Sequence, residues 1–117
     1  IEATNFAGIT SLAELFELIR NAKILVSNDT SAVHIAAAVG TPSVCILGGG
    51  HYGRFLPYVI DQANHPPPTP VVRQMDCFGC NWQCTQPHDK DTSMPCISAI
   101  TIDQVMETIE KIFVSRA

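Results

Sequence analysis

Apolar residues recur at helical spacing near both ends of the chain, and a residue suited to an N-cap precedes each set. The first set, at positions i, i+3, i+4 and i+7, consists of Leu12, Leu15, Phe16 and Ile19. Ser11 precedes it, and Glu14 completes the spacing of a capping box. The second set follows Thr101 and consists of Ile102, Val105, Met106, Ile109, Ile112 and Phe113. The spacing predicts a helix after Ser11 and a C-terminal helix over residues 101–115, each with a buried apolar face.

Between these helices, two short apolar runs flank a segment rich in small residues. The runs "KILVS" (residues 23–27) and "SVCIL" (residues 43–47) are continuous, which is typical of strands buried on both faces. Residues 31–39 predict a helix, since Gly40 suits a left-handed residue after its end and Pro42 prevents its continuation. A strand, a helix and a strand in this order predict parallel pairing. The fold class is therefore α/β, a parallel sheet with flanking helices.

The second half of the chain is less regular. The stretch "HPPPTP" (residues 65–70) predicts an extended connector, because prolines lack the backbone donor that helices and sheets need. "VVRQM" (residues 71–75) predicts a third strand, and a cysteine-rich loop segment occupies residues 71–96. Three parallel strands are few and leave bare edges. We therefore expect residues 1–117 to be a single unit that is part of a larger α/β domain or pairs with a second copy.

Composition narrows the class of protein. The chain has 117 residues, 46% of them hydrophobic and 15% charged, as expected for a folded domain. Its net charge of −4 argues against a nucleic-acid partner, which favours a basic surface. No apolar run reaches the ~20 residues of a membrane span, so no transmembrane segment is predicted.

A polar cluster follows the first predicted strand and consists of Asn28, Asp29, Thr30 and Ser31. His34 comes one helical turn later, and Gly48 and Gly49 end the next strand at the same sheet edge. Ligands bind at this edge in α/β sheets, and a helix N-terminus there favours phosphate. The residues alone leave simpler alternatives open: the cluster is only a helix cap, His34 is a buried histidine with satisfied hydrogen bonds, and the glycines only form a turn.

The stretch "NDTSAVHIAAAVGTPSVCILGGG" also resembles the signature D-T/S-G-x-x-H-x-A-A-A-x-G-T-P of glycosyltransferase family 9, the heptosyltransferases. The upstream stretch "FAGITSLAELFELIRNAKILVSND" and the segment "CFGCNWQCTQPHDKDTSMPC" with its following helix are similar to that family as well. The resemblance implies a GT-B fold of two Rossmann-like domains, with this chain in the C-terminal, donor-binding one. Ser31 departs from the signature, since it stands at the usual glycine position.

The function implied by the resemblance is inverting transfer of a sugar from a nucleotide-diphosphate donor, such as ADP-heptose, to a lipopolysaccharide or other glycan acceptor, without a required cofactor. Asp29 would bind sugar hydroxyls, Thr30 and the backbone at Ser31 would hold the pyrophosphate, and His34 would lie near them. The stretch after the glycines brings His51, Tyr52 and Arg54 within possible reach of the cleft. Arg54 is a candidate phosphate contact or a solvated surface residue.

The resemblance implies that the catalytic base lies in an N-terminal domain outside residues 1–117. The resemblance therefore implies that the chain alone binds donor without catalysing transfer, and that the missing N-terminal domain is its partner. A bacterial, cytoplasmic enzyme, with or without peripheral association with the inner membrane, is the localisation expected.

Four cysteines cluster in the pattern C-x2-C-x3-C-x11-C, namely Cys77, Cys80, Cys84 and Cys96. The first pair has the spacing of zinc ligands, but the second half does not form another such pair. Structural zinc, disulfides and free thiols all remain open. Zinc would support an alternative function, a non-catalytic interaction module stapled by the metal. A dinucleotide-binding enzyme is disfavoured, because no G-x-G-x-x-G follows a strand.

Overall fold

The computed structural model describes residues 2–59 and 65–115. Along the chain, the elements are α1 (Leu12–Arg20), β1 (Leu25–Asn28), α2 (Ser31–Val39), β2 (Ser43–Ile46), β3 (Thr69–Val71), α3 (Pro95–Ser98) and α4 (Ile102–Ser115). The order of helix, strand, helix and strand in the first half is the predicted one. Within the two described ranges, no helix is long and apolar enough to cross a membrane.

The strands form one parallel sheet in the order β1, β2, β3. Val26 of β1 pairs with Val44 of β2, and Cys45 of β2 pairs with Pro70 of β3. Because β1 and β2 are parallel, their carboxyl ends lie at the same sheet edge. The α/β class, a small Rossmann-like parallel sheet with flanking helices, is confirmed.

The predicted bounds of the third strand are wrong. β3 lies at Thr69–Val71, so it begins inside the proline-rich stretch and ends where the predicted strand began. Pro70 lacks a donor, but proline is tolerated in an edge strand, and β3 is an edge of the described sheet. The backbone N–H of Leu47 extends the pairing by donating to the carbonyl of Val71 at 3.0 Å. Between β3 and α3, the cysteine-rich segment is irregular.

The core lies between α2 and the central strand β2. Its buried cluster consists of Val33, Cys45, Leu47 and Leu56. Ala36 and Ala37 are also buried, so their small side chains let α2 approach the sheet closely. Gly40 ends α2 with a φ of 87°, as its position predicted. Thr41 follows, and its hydroxyl donates to the carbonyl of Ile19 at 2.7 Å, which ties α1 to the turn after α2.

The helix caps are confirmed, whereas the predicted burial of α1 and β1 is wrong in part. Ser11 and Glu14 form the capping box of α1. On that helix only Ile19 is buried; Leu12 remains 66% exposed. Val26 of β1 is 43% exposed. This exposure follows from where the two elements lie. β1 is an edge strand of the sheet, and α2 is the one described element with which α1 makes extensive contacts.

In the C-terminal helix, too, the predicted cap is confirmed and the predicted burial of the apolar face is wrong. Thr101 caps α4, since its hydroxyl accepts from the backbone N–H of Gln104 at 3.1 Å. None of the six predicted apolar residues is buried: Val105, Ile109 and Ile112 are half-buried, while Ile102, Met106 and Phe113 are exposed. α4 packs against β2 and β3, and two short strands offer too little surface to cover the whole apolar face.

Candidate functional site

A cleft of about 650 Å³ opens at the carboxyl ends of β1 and β2, within the size range of small-molecule sites. It is lined by Asn28, Asp29, Thr30, Ser31, His34, Ile46, Gly48, His51, Phe55, Trp82, Ser93 and Ile97. The structure therefore brings six of the eight predicted site residues to one cavity. This sheet edge is the usual ligand-binding edge of α/β proteins.

The polar cluster forms one side of the cleft through the turn between β1 and α2. β1 ends at Asn28, and Thr30 is the N-cap of α2. The hydroxyl of Thr30 accepts from the backbone N–H of Ala32 at 3.3 Å and lies 3.1 Å from the hydroxyl of Ser27. Thr30 therefore does act as a cap. Capping does not account for Asp29, which is exposed beside it in the cleft.

The first turn of α2 supplies donors to this cleft. Ser31 is the first residue of the helix and is exposed. Backbone N–H groups in a first turn lack partners within the helix, and the helix dipole makes that end mildly positive. With no charged residue in the first turn to occupy these groups, the arrangement suits the oxygens of a phosphate.

His34 lies one turn into α2, half-buried against Tyr58. Its Nδ1 is 2.6 Å from the Tyr58 hydroxyl, and the two rings stack with centroids 5.7 Å apart. Burial raises the pKa of Tyr58, so the phenol remains neutral near neutral pH. When the phenol donates to Nδ1, the neutral imidazole carries its hydrogen on Nε2. That nitrogen is then a donor for a ligand oxygen.

The glycines have different surroundings. Gly48 lines the cleft, whereas Gly49 lines a separate pocket and its N–H donates to the Cys96 sulfur at 3.4 Å. A Cβ on Gly49 would collide with the ring of Phe78, and a Cβ on Gly48 would collide with the ring of Trp82. The glycines therefore allow the cysteine-rich segment to approach β2 closely.

Arg54 is not brought to the cleft. It is exposed in a shallow hollow beside Pro57 and Tyr58, with its guanidinium carbon 5.7 Å from the centroid of the Phe55 ring. Tyr52 packs against Phe78, with ring centroids 5.3 Å apart, and does not line the cleft either.

The sequence reasoning missed most of the opposite side of the cleft. That side carries an aromatic wall of His51, Phe55 and Trp82, of which only His51 had been considered. The His51 ring lies in an edge-to-face arrangement with both other rings, with centroids 5.9 Å and 6.1 Å away. One signal was available: a single tryptophan stands in an otherwise polar, cysteine-rich segment.

The clustered cysteines lie behind this wall as free thiols. Cys77, Cys80, Cys84 and Cys96 line one small pocket of about 10 Å³, together with Gly50 and Trp82. Across residues 2–59 and 65–115, no group of three or more histidines, cysteines or carboxylates is arranged to hold a metal ion. The described structure thus contains neither the zinc site nor the disulfides that the spacing left open.

The fifth cysteine has a different environment. Cys45 is fully buried in the core. Burial, and secondarily the negative charge of Asp29, raises the pKa of its thiol from the ordinary 9.0 to about 11. The thiol is therefore protonated at physiological pH and acts as a small apolar side chain.

Comparison with known proteins agrees with the motif. The family model of glycosyltransferase family 9 (heptosyltransferase) matches residues 1–97. Over 44 residues, the chain is 46% identical to lipooligosaccharide heptosyltransferase 2 of Haemophilus influenzae. This alignment spans 38% of the chain but only 13% of that relative's length. No solved structure matches the chain significantly.

Proposed function

The chain belongs to glycosyltransferase family 9, the heptosyltransferase family, and we propose that it forms the donor-binding part of a heptosyltransferase-like enzyme. The donor in this proposal is a nucleotide-diphosphate sugar of the ADP-heptose type. The acceptor is a lipopolysaccharide or another glycan, in line with the lipooligosaccharide named for the Haemophilus relative. The alternative of a zinc-stapled interaction module is less favoured, because family membership supports a transferase.

The observation that carries the proposal is that the first turn of α2 lies in the cleft. The first turn of that helix, with Thr30 as its cap and Ser31 as its first residue, faces the same cavity as the Asp29 carboxylate. A nucleotide-diphosphate sugar needs donors for its pyrophosphate and acceptors for its sugar hydroxyls. The two sets of groups lie side by side here.

In this proposal the pyrophosphate lies at the N-terminus of α2, and Asp29 accepts hydrogen bonds from the sugar. As the bond to the anomeric carbon breaks, negative charge grows on the departing diphosphate. The helix N-terminus and the Nε2 hydrogen of His34 stabilise that charge, so they contribute more in the transition state than in the ground state.

The base that deprotonates the acceptor belongs, in this proposal, to another domain of the same protein. Among the described residues that line the cleft, Asp29 is the one carboxylate, and binding the donor already occupies it. The chain alone is therefore expected to bind donor without transferring sugar. We also propose that the protein works in the cytoplasm, at or near the inner membrane surface.

Calorimetric titration of the folded chain with ADP, UDP and GDP tests donor binding. We expect one of the three diphosphates to bind in the absence of a divalent metal. If the chain is folded by circular dichroism and binds none of them, the proposal is wrong.

The variant Asp29→Ala tests the role of the carboxylate. Loss of hydrogen bonds to a charged group costs about 1.5–3 kcal/mol, so we expect nucleotide-sugar affinity to fall at least about tenfold. Asp91→Ala is the matched control, because Asp91 is exposed and does not line the cleft. Equal affinities for the two variants would contradict the assignment.

A further inference from the structure

We propose that Trp82 is the sugar platform of the cleft: its indole stacks against the C–H face of the donor's pyranose ring. This inference rests on the proposed function and assigns a specificity-determining contact to the cysteine-rich segment. The cysteine-rich segment then forms one side of the binding site.

The position of Trp82 gives the first argument. Its ring lies so close to the turn after β2 that a Cβ on Gly48 or Gly50 would collide with it. The side chain nevertheless remains 37% exposed and lines the cleft. Phe55, beside it in the wall, is 52% exposed. Large aromatic rings left exposed beside the polar side chains of a cleft indicate a ligand with an apolar face.

The backbone at this position gives the second argument. Asn81 and Trp82 have φ values of 56° and 62°, which non-glycine residues seldom adopt and two in succession more seldom still. Such strain persists only where the surroundings hold it, and it concentrates at binding sites.

The surroundings do hold it. The N–H of Asn81 donates to the carbonyl of Gly50 at 2.9 Å, and the N–H of Gly79 donates to the carbonyl of Gly49 at 2.8 Å. The side-chain oxygen of Asn81 lies 2.7 Å from Nε2 of His51. The indole is thereby fixed in place before any ligand arrives, and a preorganised surface loses little entropy on binding.

The polar groups of the cleft favour a sugar over a nucleobase as the stacking partner. Asn28, Asp29 and Ser93 line the same cavity as the indole. A pyranose has a C–H face for an aromatic ring and equatorial hydroxyls for a carboxylate and an amide. A nucleobase could also stack on the ring, but in the proposed function Asp29 already binds the sugar hydroxyls, so the sugar is the part of the donor that lies beside the indole.

The fluorescence of the unmodified chain provides the first test, because Trp82 is its single tryptophan. We expect ADP-glucose, UDP-glucose or GDP-mannose, whichever carries the base that binds, to change the emission of Trp82. The matching free diphosphate should change it much less. An equal change with both ligands would overturn the sugar assignment in favour of the base, and no change with the nucleotide sugar would overturn stacking.

Substitution provides the second test. In Trp82→Ala, we expect affinity for the nucleotide sugar to fall about tenfold, because the apolar face of the sugar loses its aromatic contact, while affinity for the free diphosphate stays within about twofold. Trp82→Phe keeps an aromatic face and should restore most of the loss. Phe16→Ala is the control, since Phe16 is 38% exposed on α1, away from the cleft.

The outcomes separate this inference from the proposed function. If the unmodified chain binds no nucleotide, the proposed function fails and the platform fails with it. If the unmodified chain binds both ligands and Trp82→Ala weakens neither, or weakens both equally, only the platform is wrong. If Trp82→Ala does not fold, the fluorescence titration of the unmodified chain and the affinities of Trp82→Phe still test whether the indole stacks on the sugar.

Discussion

At the residue scale, Cys45 makes the stability of the folded chain depend on pH. Its thiol is buried beneath the site, and the raised pKa means that the folded state holds the proton more firmly than the unfolded state does. Below pH 9 the thiol is protonated in both states, so its contribution to stability is constant. Between pH 9 and about 11 only the unfolded state loses the proton, and the folded state is progressively destabilised.

We therefore predict that the free energy of unfolding falls by about 3 kcal/mol through Cys45 as the pH rises past 11. Cys45→Ala should remove this part of the pH dependence and leave the contributions of the other thiols and tyrosines. Urea unfolding at several pH values from 8 to 11 measures both slopes. Identical slopes for the two proteins would contradict the prediction.

At the element scale, the proposed function gives the N-terminus of α2 a role in both stability and binding, whereas the N-terminus of α4 has a role in stability alone. Thr30 and Thr101 are matched caps, since the hydroxyl of each accepts from a backbone N–H of its first turn. Only Thr30 lines the cleft.

We predict that Thr30→Ala and Thr101→Ala each lower the free energy of unfolding by about 1 kcal/mol. Thr30→Ala should also weaken binding of the nucleotide diphosphate several-fold, because the cap positions the phosphate donors. Denaturant unfolding and calorimetry on both variants separate the effects. Equal loss of binding in the two would show that the effect comes from stability and not from the site.

The elements also show what local pattern can and cannot predict. Ser11, Thr101 and Gly40 fixed the ends of helices from their own spacing, because caps depend on neighbours in sequence. For the same reason, the sequence could predict one side of the cleft, which is formed by residues Asn28 to Ser31. Trp82 escaped prediction, since its place in the cleft depends on contacts with glycines more than thirty positions away. The start of β3 at Thr69 likewise depends on pairing with β2.

At the scale of the whole molecule, several large apolar side chains outside the cleft are exposed among the described residues. Val26 is 43% exposed on an edge strand, and Leu12 of α1 and Ile102 of α4 are exposed further. An uncovered edge strand with apolar neighbours promotes association. The sequence placed these residues on apolar faces, but the burial that it predicted for them is not found among the described residues.

We predict that the chain by itself associates at micromolar concentrations, and that Val26→Lys reduces this association by placing a charge on the strand edge. Thr4→Lys is the control, because it makes the same change of charge at an exposed polar position. Sedimentation velocity over a range of concentrations measures the effect. Equal association of the two variants would place the contact elsewhere on the surface.

The indole of Trp82 separates the thiol pocket from the cleft, because it lines both. The thiol pocket, at about 10 Å³, has room for about one water molecule, so alkylation of a sulfur there would displace the indole and change the shape of the cleft without any group entering the cleft.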